Sequence, residues 1–246
     1  MSRNYTINIK NASQESKDFL LFQVIPHPAN IPWEEVFTNV YQRSVRVQGN
    51  GSSKASFQMA NQYWAVYGTS EQCQDGQTKV ATSDSRDVVL GPNGSFFVLS
   101  TMPGPKGTPD GVSPCFDDEA SGNRSTYAPG SFAIRSDGSF NYNENNTYFG
   151  VGARDPRGGD IIPIQTYRAR PNVVSEIFPR SKYYIAFGNY EPGSIVNMNQ
   201  LGNVLEVDFT NAVSHSCTFT LDASNNYVPE PNINNYGIHW RVTTAV

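Results

Sequence analysis

The sequence predicts an all-β protein, an antiparallel β-sandwich or jelly-roll-like barrel of about a dozen strands with at most one short helix. Three observations carry that prediction. Apolar residues recur at every second position through many short runs, the spacing of a half-buried strand. Turn residues punctuate those runs at intervals of about 8 to 12 residues, as in sandwiches and barrels. Aromatic residues make up 12% of the chain, with 14 Phe and 13 Tyr, a weighting that suits pleated, half-buried surfaces.

Taken in order, Tyr5, Ile7 and Ile9 alternate with polar partners in a first strand, and residues 11–17 form a polar turn. Phe19–Ile25 is a nearly continuous apolar run, as expected of a strand covered on both faces. Pro26, Pro28 and Pro32 end it. In residues 33–41, Trp33, Val36, Phe37, Val40 and Tyr41 fall at i, i+3, i+4, i+7 and i+8 behind Pro32, so a short helix is expected there.

Asn50-Gly51, Asn93-Gly94 and Asp137-Gly138 each stand between alternating runs and predict three hairpins. Gln62–Gly68 reads as a strand with Tyr63, Ala65 and Tyr67 on one face and Trp64 and Val66 on the other. Further strands are expected at Ile161–Arg168, Cys217–Leu221 and Ile238–Thr244. Residues 181–211 read as strand, turn, strand, turn, strand. Tyr183, Ile185 and Phe187 alternate with Tyr184 and Ala186. Glu191-Pro192-Gly193-Ser194 and Gly202-Asn203 supply the turns. Leu205, Val207 and Phe209 then alternate with Glu206, Asp208 and Thr210, which predicts a meander with one apolar and one wet face.

No composition break or fixed-period repeat divides the 246 residues, so one domain spanning 1–246 is expected. Its long irregular segment, 101–130, is rich in Pro, Gly and Ser and reads as a flap loop. A net charge of −4 gives no electrostatic footprint for nucleic acid or an anionic membrane. No apolar run approaches the ~20 residues that cross a bilayer. The opening MSRNYTINIKN lacks the apolar run of a secretory leader, so the cytoplasm is the expected compartment. Cys73, Cys115 and Cys217 are odd in number and widely spaced, so no disulfide framework is expected. Six N-x-S/T triplets carry little weight in a chain this rich in Asn, Ser and Thr.

The chemistry-bearing residues exclude more than they assign. His27, His215 and His239 lack ligand spacing, and no cysteine pair supplies it, so no metal and no cofactor are expected. His239, between Ile238 and Trp240, reads first as a half-buried structural histidine. Asp117-Asp118-Glu119 lacks the spacing of a calcium loop and reads as a solvated charge run. There is no nucleophile elbow, Walker loop or dinucleotide fingerprint. In FGVGARDPRGGD, residues 149–160, glycines interleaved with Arg and Asp would let backbone approach a ligand closely; a surface turn with an Arg154–Asp155 ion pair is the plainer reading. Tyr63, Trp64, Tyr67, Tyr183, Tyr184, Tyr190, Tyr236 and Trp240 form an aromatic set that fills a core or lines a pocket with a polar end.

The pattern YTINIKN, FLLFQVIP, VYQ, YWAVYGTS, KYYIAFGNYEPGSIV and VDFT resembles a set of fungal, leaderless all-β proteins that accompany natural-product pathways. The resemblance implies a cofactor-free cyclase or pericyclase, among them hetero-Diels–Alderases that join a quinone-methide-like polyketide to a terpene alkene. Such an enzyme needs an apolar aromatic cavity that holds two neutral reactants in a near-attack pose. A few polar groups then polarise a carbonyl. Tyr184, Arg168, Asp208 and His239 are the catalytic candidates on this reading. Tyr63, Trp64, Tyr67, Trp240 and Arg241 are the substrate-binding candidates, and the expected partners are polyketide- and terpene-like small molecules. Homo-oligomerisation is left open. Two other functions fit the same residues: a lectin-like carbohydrate- or small-ligand-binding sandwich without catalysis, and a structural jelly-roll subunit. A deep closed apolar pocket beneath Tyr63 and Tyr184 would mark the enzyme, and shallow exposed aromatic platforms the binding module.

Overall fold

The computed structural model describes residues 4–73, 75–101, 114–122, 124–140 and 146–244. In chain order its strands begin with β1 (Asn4–Asn11), β2 (Phe19–Phe22), β3 (Val36–Thr38), β4 (Val40–Arg43), β5 (Lys54–Ala60) and β6 (Trp64–Gln72). They continue through β7 (Thr78–Asp87), β8 (Gly94–Ser100), β9 (Cys115–Asp117), β10 (Ser125–Thr126), β11 (Phe132–Ser136) and β12 (Thr147–Arg154). The chain closes with β13 (Ile161–Arg168), β14 (Val174–Ile177), β15 (Lys182–Phe187), β16 (Asn203–Asp208), β17 (Ser216–Leu221), β18 (Tyr227–Pro229) and β19 (His239–Thr244). The α-helix among the described residues is α1 (Asp118–Ser121), a single turn.

Four sheets result, with orders β18-β17-β1-β5, β10-β8-β11-β14 (β9 also on β8), β3-β13-β12-β6-β7 and β19-β16-β15-β2-β4. Pairing is antiparallel except for β1 with β17 and β8 with β11. All four sheets contribute to one apolar core. Ile7 and Ile9, Phe19 and Leu21, Phe149 and Tyr167, and Phe132 and Ile134 are each buried in it. A buried side chain of this size stabilises the fold by about 1.5–3 kcal/mol. The expected all-β sandwich is the fold observed, with more and shorter strands than anticipated. The continuous apolar run at Phe19–Phe22 is buried on both faces, as expected.

Three local expectations are corrected. Residues 33–41 do not form a helix. A 3-10 turn at Trp33–Glu35 leads straight into β3 and β4. Of the apolar stripe a helix would bury together, Val40 and Tyr41 are buried but Trp33 is 76% exposed. Val36, Thr38 and Val40 are β-branched and lose rotamer freedom in a helix, whereas here β3 pairs with β13 and β4 with β2. The three hairpins form as turns only. Gly51 and Asn93 adopt positive φ, but β5 pairs with β1, β8 with β9, β10 and β11, and β11 with β8 and β14. Finally, residues 181–211 contain two strands, not three. β15 and β16 pair directly, and residues 188–202 connect them through a 3-10 turn at Met198–Gln200.

Of the flap expected at 101–130, residues 102–113 and 123 lie outside the described residues. The remainder is partly regular and carries β9, α1 and β10. Asp117 caps α1 by accepting from Ala120 N at 2.8 Å, and Asp118 sits 3.4 Å from Arg86.

The 188–202 connection lies on the outer side of two sheets and builds a second, smaller core. Tyr190, Val196 and Leu201 pack there with Leu20, Phe22, Val40, Ala186 and Val204. Its anchor is the corner between β3 and β4, where the chain passes from one sheet to the next. Asn39 occupies that corner fully buried. Its Nδ2 donates to Gly193 O (3.0 Å), and its Oδ1 accepts from Thr166 Oγ1 (3.0 Å). Backbone bonds Gly193 N to Val40 O, Val40 N to Ser194 O and Val196 N to Thr38 O seat the connection on both flanking strands. Gly193 has φ +88, and a Cβ on it would lie 2.8 Å from Val80 O, so this contact requires glycine.

Asn39→Ala leaves Thr166 Oγ1 without this acceptor and removes one donor from Gly193 O. The expected loss is about 1–3 kcal/mol, read as a lower urea midpoint with an unchanged m-value.

Candidate functional site

A surface cavity of about 750 Å³ lies where the 188–202 connection faces β3 and β12. Strand register explains its aromatic wall. Thr166 on β13 is opposite Phe37 on β3, and Arg168 is opposite Tyr148 on β12. Directly paired residues, and residues two apart on one strand, share a face. Phe37 and Tyr148 therefore meet, edge to face with centroids 5.6 Å apart. Tyr190, Val196 and Met198 supply apolar surface from the connection.

The rim is polar and almost uncharged, with Gln77, Asn197, Asn199, Gln200 and Asp75 around it. Local hydrogen bonds fix several of these groups. Tyr190 Oη donates to Gln200 Oε1 (3.2 Å), and Gln77 Nε2 donates to Asn189 O (2.7 Å). Asn197 Oδ1 accepts from Asn199 N (3.1 Å) and caps the 3-10 turn. Amide side chains both donate and accept. The groove thus offers rings to a flat or apolar ligand face and amides to its hydroxyls or carbonyls. Among the described residues no group of three or more His, Cys, Asp or Glu is placed to hold a metal ion.

The residues singled out from sequence divide among four places. Tyr184, Asp208, His239 and Arg241 come together on the outer face of the sheet formed by β15, β16 and β19. Register sets Tyr184 beside Glu206 and Arg241, and Asp208 beside Lys182 and His239. Glu206 is buried between Lys182 Nζ (3.1 Å) and Arg241, whose Nε and Nη2 reach Oε2 at 3.0 and 2.7 Å. Burial acts to raise the Glu206 pKa, but the bonds and charges of Arg241 and Lys182 outweigh it and hold the carboxyl below its ordinary value. Asp208 is likewise held low, the hydrogen bonds from Thr210 and the Lys182 charge outweighing burial. Burial, with the neighbouring Glu206 charge, pushes the Tyr184 hydroxyl upward, so it stays protonated. Its ring stacks on Phe22 at 5.8 Å. Each charge of this ion-pair network thus has an opposite charge within 3.6 Å. His239 is exposed, which corrects its reading as half-buried.

Tyr63 and Tyr67 face the main core. Tyr63 Oη accepts from Gln23 Nε2 and donates to Arg180 O, both at 3.5 Å, and burial raises its pKa; Tyr67 packs edge to face on Phe116 at 5.2 Å. Since Tyr183 faces inward and Tyr184 outward on one strand, Tyr63 and Tyr184 lie on opposite sides of the sheet. Trp64, on the other face of β6, is buried under the Arg154 guanidinium, 4.9 Å from its ring. Trp240 packs on Phe219 at 5.7 Å. Arg168 stands apart from these, opposite Tyr148 at the groove's aromatic wall. The glycine-rich segment closes on itself as a turn. Arg154 Nη1 donates to Gly159 O (2.8 Å), and Asp155 pairs with Arg157 (3.7 Å) in place of Arg154.

Phe37, Tyr148, Gln77 and the Asn197–Gln200 run belong to no motif in the sequence, and Phe37 falls in the stretch whose spacing predicts a helix. The amide-rich run Asn197-Met198-Asn199-Gln200, two turns after Tyr190, was the one local signal for the groove.

The fold and groove define a class: an all-β sandwich carrying an open, amphipathic groove between a sheet face and a long connection. The chain belongs to the RhiA family, whose family model matches residues 2–230. No curated protein and no solved structure matches it. No helix among the described residues is long and apolar enough to cross a membrane.

The ion-pair network makes a pH prediction. A carboxyl whose folded pKa lies below its unfolded value stabilises the fold above the ordinary carboxylate range and loses that contribution as pH falls through the folded value. Thermal melts of the wild type should therefore drop more steeply below about pH 4.3, the ordinary Glu value, than melts of Glu206→Gln. At neutral pH the variant should be less stable by about 1–2 kcal/mol.

Proposed function

We propose that this RhiA-family protein is a binding module that takes a carbohydrate or similarly polar small ligand in the groove beside Phe37 and Tyr148. The observation that carries this reading is the groove's composition: an aromatic pair on one wall, four carboxamide side chains on the rim and, among the described lining residues, Asp75 as the one formal charge. Rings stack on the apolar face of a sugar, and amides satisfy its hydroxyls. The cavity is open to solvent and of a size that accepts a drug-sized or oligosaccharide ligand. The titratable candidates Tyr184, Asp208 and Glu206 are committed to one another or to cations elsewhere, which argues against turnover at that cluster.

A second reading keeps the cofactor-independent cyclase or pericyclase that joins a quinone-methide-like polyketide to a terpene. It draws on the sequence resemblance and on the position of Arg168 opposite Tyr148. A guanidinium there would polarise a carbonyl oxygen while the rings hold the terpene.

One pair of experiments separates the two. On the binding reading, a glycan array followed by titration calorimetry gives saturable binding. Tyr148→Ala weakens it about tenfold, ~1.4 kcal/mol, and Tyr184→Phe leaves it unchanged. An array silent throughout, with raised adduct yield and enantiomeric excess in a polyketide–terpene incubation, overturns this reading in favour of the cyclase. In that case Arg168→Ala should lower turnover while the melting temperature holds.

A further inference from the structure

A second cavity, about 390 Å³, lies on a different sheet from the groove, on the outer face of β8, β11 and β14. Register builds it. Phe96, Ala133 and Glu176 stand side by side across three adjacent strands. Their neighbours Phe132, Ile134 and Ile177 point into the main core, so these three point outward. Ala133 is the small residue of the row, and it leaves a gap between a half-buried ring and a carboxylate. Val174, 38% exposed, and Tyr127, 83% exposed, extend the apolar walls.

The carboxylate is held in place by two buried hydroxyls. Thr126 Oγ1 donates to Glu176 Oε1, and Ser131 Oγ lies 2.9 Å from both Glu176 Oε1 and Ala128 O, which share its one proton, and 3.0 Å from Thr126 Oγ1. Thr126 is 6% exposed and Ser131 is fully buried. The Thr126 bond and the Ser131 contact both fall on Oε1 and orient the group, leaving Oε2 for an incoming donor. The hydroxyls are neutral, and the described residues give Glu176 no salt bridge to balance its charge. Arg124 lies over the Phe96 ring at 5.8 Å, so that ring already accepts a cation on its face.

We propose that this cavity is a second, independent binding site for an organic ammonium with a flat apolar body, an arylalkylamine in chemical class. The ammonium would donate to Glu176 Oε2 in a charge-assisted bond, and the aryl group would lie over Ala133 between Phe96, Tyr127 and Val174. The size of residue 133 sets the depth of the site, and Glu176 sets its charge preference.

The probe is 2-phenylethylammonium chloride, titrated into the full chain by NMR and calorimetry, with 2-phenylethanol as its neutral counterpart. The expected result is saturable binding of the ammonium, at least tenfold tighter than the alcohol. Glu176→Gln, whose amide oxygen still accepts from Thr126 and Ser131, should lose at least tenfold while its melting temperature stays close to the wild type. Ala133→Leu should fill the gap and abolish binding. Should that variant fail to fold, Glu176→Gln and the alcohol comparison decide alone. Equal binding of ammonium and alcohol, full affinity in Glu176→Gln, or no saturable binding at millimolar probe would each overturn the proposal. Tyr148→Ala should leave this site untouched, so its fate is read separately from that of the groove.

Discussion

The outer architecture of this protein depends on one buried carboxamide. At Asn39 the chain leaves one sheet and enters another, a place where backbone groups lose their ladder partners and must be satisfied some other way. The Asn39 side chain does this in both directions, accepting from Thr166 on one sheet and donating to Gly193 of the connection that crosses over it. With Gly193 fixed, the backbone of residues 193–196 zips onto Thr38 and Val40, and the second apolar cluster closes beneath it. Tyr190 and the Asn197–Gln200 run are thereby held across from Phe37 and Tyr148. A charged residue at this corner would need a partner the site does not offer, and an apolar one would leave Thr166 Oγ1 without this acceptor and Gly193 O with Val80 N alone.

The groove and the ion-pair cluster show how differently polar residues can be used on one sandwich. Around Glu206 every charge has a counter-charge within a few ångströms, and the phenol of Tyr184 is pushed toward staying protonated. Such a network stabilises and orients strands. The groove has the opposite character, with rings half exposed and amides on its rim whose hydrogen-bonding capacity exceeds what their neighbours use. Unspent donors and acceptors beside aromatic surface are what a ligand needs, and they support the proposed binding at the groove.

The strands were largely legible from local pattern. Tyr5, Ile7 and Ile9 alternate and are buried together; Ile161–Arg168 is a strand over the span expected of it. The glycine turns were also legible, because positive φ is a property of one residue. What each turn joins was not. Asn50-Gly51 turns the chain without pairing its flanks, since β5 finds a better apolar partner in β1. Residues 33–41 fit a helical period by count, yet the burial that would reward a helix is absent at Trp33, and two separate strands offer pairing instead.

The sequence by itself determined the all-β class, most strand positions, the apolar face of each strand and the placing of turns, because these follow from side-chain period and backbone freedom within a few residues. Only the tertiary structure decided which residues share a site. Tyr183 and Tyr184 are adjacent in sequence and face opposite sides of a sheet, whereas Phe37, Tyr148 and Tyr190 are far apart in the chain and line one groove. Their meeting is set by strand order and by a connection pinned at Asn39, long-range pairings in which each partner's choice depends on all the others.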